Sequence, residues 1–183
     1  MPISRLSILL TCIAVAAHIT AVRADDSPRV RFTDPVVGDA LSRGVSRSKT
    51  FRDLLTRLAA SDLVVYVERA APSRSRTSGH IQFVGATPLY RYARITLYAD
   101  RSTDAIVALL GHELQHAVEI ADAPSVVDER TYGELYRSIG KASCGAPRWC
   151  FDTKAAMKAG YRVLRELRPD DRLVSAGLAL ADE

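Results

Sequence analysis

The chain has 183 residues, 48% hydrophobic and 25% charged, with a formal net charge of +4. The length allows one domain with a real core, and the charge is too small to argue for nucleic acid or an anionic membrane as a partner. Beyond the N-terminus no stretch is apolar for long enough to span a bilayer.

Residues Met1 to Ala24 place Arg5 ahead of an apolar run from Leu6 to Ile19 and end on Val22-Arg23-Ala24. This is the pattern of a secretory signal peptide cut near Ala24, leaving 25–183 as a single domain in the periplasm or outside the cell. The leader carries two arginines and no acid, so the exported form has a net charge of +2, two below the whole chain's +4. Cys12 leaves with the leader. Cys144 and Cys150 remain, bracketing Gly145-Ala146-Pro147-Arg148-Trp149. In an exported chain such a pair reads as a disulfide closing a short loop; the alternative, two thiolate metal ligands, suffers from a spacing wider than the usual zinc knuckle.

Asp25 to Asp34 reads as polar chain without regular structure, and Pro35 to Gly44 as a short helix weakened by its two glycines. Phe51, Leu54, Leu55 and Leu58 recur at helical spacing, so a helix runs from Ser48 to near Ser61. Leu63 to Val67 is a β-branched run and reads as a strand, Ala71 to Gly79 as a loop, and His80 to Gly85 and Tyr90 to Ala99 as two more strands. His80 is expected at the surface of a strand end.

The next helix carries Gly111-His112-Glu113-Leu114-Gln115-His116-Ala117-Val118, preceded by uninterrupted apolar residues from Ala105 to Leu110 and stopped by Pro124. Ser102 or Thr103 caps it, with Asp104 favourable in the first turn. Residues four apart share one helix face, so His112 and His116 suit a single tetrahedral Zn²⁺, with Glu113 beside it to take a proton from the metal's water. The competing account makes them hydrogen-bonded core histidines, with Glu113 on the surface. Against it, two of the three histidines outside the leader would fill a core with polar rings.

This helix resembles the motif helix of the zincin metallopeptidases. The resemblance implies Zn²⁺ as cofactor, a peptide or protein substrate, Glu113 as general base, and a sheet ahead of the motif whose edge strand pairs with extended substrate. It also implies a third protein ligand. The metzincin position falls on Asp122, but no glycine turn swings it back toward the histidines. Glu119 sits a turn beyond His116, better placed to orient a ligand than to be one.

The gluzincin arrangement takes the third ligand from a later helix. After Pro124, Ser125-Val126-Val127-Asp128 has capping-box form and opens a helix to about Ser138, stopped by Gly140. A last helix runs from about Asp152 to Arg168, where Ala156, Gly160, Val163 and Leu167 form a small-residue stripe headed by Asp152. Asp152 is therefore the first candidate for the third ligand, although the gluzincin pattern has Glu there and Asp is also a favoured helix cap. Glu134 is second and Glu129 third. Tyr132, Tyr136 and Tyr161 are candidate oxyanion donors.

These readings assemble into an α+β, zincin-like domain: a mostly antiparallel N-terminal sheet, the motif helix and two further C-terminal helices. The function expected is that of an exported zinc metallopeptidase. The alternative is an exported binding domain that keeps the architecture without the catalysis.

Overall fold

The computed structural model describes residues 28–71, 78–98, 102–142 and 151–168. The leader, its cleavage near Ala24 and the Cys144–Cys150 pairing lie outside the described residues. The elements in chain order are β1 (Val30–Phe32), α1 (Pro35–Arg47), α2 (Lys49–Ala59), β2 (Leu63–Arg69), β3 (Gly79–Ala86), β4 (Arg91–Leu97), α3 (Thr103–Ala121), α4 (Glu129–Ile139), β5 (Lys141–Ala142), β6 (Phe151–Asp152) and α5 (Lys154–Leu167). The fold is mixed α+β, and no described helix is long and apolar enough to cross a membrane.

The four-stranded sheet has the order β1-β2-β4-β3. It is mixed rather than mostly antiparallel: β1–β2 and β2–β4 run parallel, and only β3–β4 is antiparallel. The reason is the connections. Two helices carry the chain from β1 to β2, which returns it in the same direction. β3 takes the edge, and β4 turns back antiparallel to it between β3 and β2, which leaves β4 parallel to β2. β1 corrects the expectation of irregular chain before Asp34; its three residues are held by pairing to Val65, Tyr66 and Val67, which lie far away in sequence. The two-stranded β5–β6 pairing sets Lys141 opposite Asp152.

Leu63, Val65 and Val67 of β2, Ile81 and Phe83 of β3, and Ala93, Ile95 and Leu97 of β4 are buried. They are alternate residues and share one face of the sheet, against which α3 packs. On its other sides α3 meets α1, α2 and α5, so it is the axis of the domain. Its Leu110, Leu114, Ala117, Val118 and Ile120 are wholly buried. Burial of each large aliphatic chain contributes about 1.5–3 kcal/mol.

Helix ends are fixed locally. Asp34 accepts from the Val36 amide ahead of Pro35 at the start of α1, and Ser48 accepts from Phe51 at the start of α2. α1 runs through Gly44 because that glycine lets the Phe51 ring lie against it; a Cβ there would stand 2.7 Å from Phe51 Cδ1. The C-terminal end of α3 is held by Arg91, only 4% exposed. Its guanidinium makes paired hydrogen bonds to Asp62 and also donates to the carbonyls of Ile120, Ala121 and Ala123.

Candidate metal centre

The middle of α3 carries His112, Glu113 and His116. Its neighbour α5 approaches closely because small residues face each other. A Cβ on Gly111 would come within 2.8 Å of Val163 Cγ2, and one on Gly160 within 3.2 Å of His112 Cβ. This approach brings Asp152, just before α5, to the histidine face. His112 Nε2 lies 3.5 Å and His116 Nε2 3.9 Å from Asp152 Oδ1, and the three ligand atoms all fall within 4.8 Å of one another. Donors about 2.0–2.1 Å from a tetrahedral zinc ion stand about 3.3 Å apart, so the cluster fits an ion after shifts of a few tenths of an ångström to about one. Among the described residues Asp152 Oδ1 is buried without a hydrogen-bond partner, an arrangement that carries a desolvation cost unless a cation meets it.

Asp152 does not cap α5. Thr153 does, its Oγ1 accepting from the Ala156 amide at 3.0 Å. Thr153 Oγ1 also donates to Glu119 Oε1 at 2.6 Å, and the other oxygen, Glu119 Oε2, accepts from His116 Nδ1 at 2.8 Å. A carboxylate can only accept, so Nδ1 carries a proton, and in the neutral ring the Nε2 lone pair faces Asp152 and His112. The chain Ala156–Thr153–Glu119–His116 thus sets the tautomer and ties it to the docking of α5. Tyr136 adds to this side, stacking edge-on against His116 and donating its hydroxyl to the His116 carbonyl at 3.1 Å.

Electrostatics divide the site. Burial, helped by the neighbouring His116, lowers the His112 pKa and favours the neutral ring that a metal requires. Burial acts in the same sense on His116, but the Glu119 hydrogen bond and the charges of Glu113, Glu119 and Asp152 outweigh it and leave the pKa raised. Glu113 is 3% exposed, and burial pushes its carboxyl up to about 7, with His116 acting in the opposite direction. Gly79, the first residue of β3, makes room for this carboxylate, since a Cβ there would sit 3.0 Å from Glu113 Oε1. Glu113 therefore lies inside, not on the surface as the core-histidine account required.

The other candidates are elsewhere. Glu134 pairs with Arg130 on the exposed side of α4, Glu129 is exposed at the start of the same helix, and Asp122 pairs with Arg57. His80 is half-buried and stacks on Tyr98. The hydroxyl of Tyr132 donates to Ile81 O at 2.8 Å, and Tyr136 is committed to His116 O. Tyr161 is 74% exposed on the outward side of α5. None of the three tyrosines presents a free hydroxyl to the cluster. Thr153 and Gly79 escaped the sequence reading; a Thr three residues ahead of Ala156 at the head of a helix is the usable signal for the first, and no local signal marks the second.

Comparisons with protein-family models, with curated proteins and with solved structures find no match to this chain.

Proposed function

We propose that the protein is an exported, gluzincin-like zinc metallopeptidase in which His112, His116 and Asp152 hold Zn²⁺ and Glu113 is the general base. One observation carries the reading: two imidazole nitrogens and an unpartnered buried carboxylate oxygen converge from α3 and the head of α5. Asp in place of the Glu of the gluzincin pattern is tolerated because the glycine pair draws the head of α5 onto α3.

Zinc bound at this position supplies a Lewis acid and a water acidified toward neutral pH. The protein supplies the rest. Glu119 and Thr153 orient His116, while His112 and Asp152 remain partly exposed. Glu113, adjacent in sequence to His112 and with its pKa pushed up to about 7, is matched to accept a proton near neutral pH and return it to the departing amine. β3 is the sheet edge on the side of Glu113 and offers backbone groups to an extended peptide, although Ile81 O already accepts from Tyr132.

Glu113→Gln tests the reading. It should keep stoichiometric zinc and abolish hydrolysis of a mixed peptide library, since it removes the base and no ligand. Unchanged turnover in this variant would refute the catalytic assignment.

A further inference from the structure

The outward side of α5 carries Lys154, Lys158, Arg162 and Arg165, with Met157 and Tyr161 among them. All six are exposed. At 100° per residue they form one stripe along the helix, opposite Ala156, Ala159, Val163 and Leu167, which pack inward. The one acid of α5, Glu166, is turned to Ser48 and Thr50. Among the described residues none of the four cations forms an ion pair. Cations elsewhere on the surface do: Lys49 with Asp53, Arg57 with Asp122, Arg130 with Glu134.

We propose that this face of α5 docks the protein peripherally on an anionic lipid surface. The overall charge of +4 conceals the patch because acids and bases balance over the rest of the chain. A helix of 14 residues is about 21 Å long, enough to set all four cations on one sheet of headgroups. The two exposed apolar side chains decide between anionic partners. Tyr and Met among Lys and Arg match the boundary between headgroups and acyl chains, whereas a purely ionic partner such as an acidic peptide makes no use of them. Docking through exposed side chains makes the association peripheral, reversible and weakened by salt. The inference is independent of the metal centre.

Sedimentation with vesicles tests it. The purified chain should bind mixed phosphatidylglycerol–phosphatidylcholine vesicles, ignore pure phosphatidylcholine, and be released by high salt. Each cation is worth about fivefold in binding, so Lys158→Gln/Arg162→Gln/Arg165→Gln together should weaken it about 100-fold. The equal-charge control Lys49→Gln/Arg57→Gln/Arg130→Gln should bind nearly as the wild type does, and Tyr161→Ser should weaken binding a few-fold. The chain is taken in its exported form, cut near Ala24, so that the apolar N-terminal stretch contributes nothing. Thermal melts should show both triple variants folded; if the α5 triple is not, single substitutions at Lys158 and Arg162 carry the test at about fivefold each. Equal loss in the control, equal binding to neutral vesicles, or tighter binding of poly-glutamate or duplex DNA at the same salt would each overturn the proposal.

Discussion

Two buried polar clusters lie along α3, and they are built on opposite principles. At the C-terminal end, Arg91 meets two carboxylate oxygens of Asp62 and four backbone carbonyls, the fourth that of Val126, so its donors find acceptors. Upstream, His116 Nε2 and Asp152 Oδ1 face His112, and among the described residues Asp152 Oδ1 accepts no hydrogen bond. The first cluster is complete in itself and anchors the helix. The second has acceptors in surplus, an arrangement that gains only when a cation arrives from outside. Self-satisfaction marks the structural cluster, and its absence marks the site.

Substitutions should separate the two, and the largest effect belongs to the anchor. Arg91→Met strands the last carbonyls of α3 and frees Asp62, which should cost about 3 kcal/mol in urea unfolding. A loss below about 1 kcal/mol would mean the helix end is held by packing alone. The same pair has a pH signature. Arg91 holds the Asp62 carboxyl below its ordinary value of 3.8. Its stabilisation is therefore complete above that value and disappears as pH falls through the lowered one. Asp62→Asn should remove this contribution and flatten the acid limb of stability against pH.

Next comes the contact that joins the clusters to α5. Gly111→Ala drives a Cβ into the short, branched Val163 side chain and should cost about 1–3 kcal/mol while lowering metal affinity, because α5 carries Asp152 with it. Adding Val163→Ala should restore part of both losses. If the fold weakens and metal affinity does not, the head of α5 is positioned by the β5–β6 pairing instead.

The smallest effect is expected at the site itself. Asp152→Asn in metal-free protein should leave stability within about 0.5 kcal/mol of the wild type, because the side chain is only partly buried and its Oδ1 accepts no hydrogen bond among the described residues. A loss as large as that from Arg91→Met would make Asp152 a structural residue and erase the distinction between the clusters.

The parts of the molecule that were legible beforehand are those set by local pattern. The four-residue spacing of His112 and His116, the apolar run ahead of them and Pro124 define α3 closely. The small-residue stripe of α5 pointed to Asp152 because close helix approach needs small residues wherever it occurs. What stayed hidden depends on partners distant in the chain. β1 exists only through β2, and the parallel direction of β2 and β4 follows from where β3 is laid down. Thr153 rather than Asp152 takes the cap, which frees Asp152 for the histidines. That choice is decided by Glu119, on another helix, which binds Thr153.

Zinc content is the most direct test of the central claim. Protein purified without chelators should hold about one Zn²⁺ per chain, and His116→Ala, which removes one of three ligands, should lose it while remaining folded. Wild-type protein without zinc after exposure to equimolar Zn²⁺, or a His116→Ala variant that retains the full complement, would contradict the account.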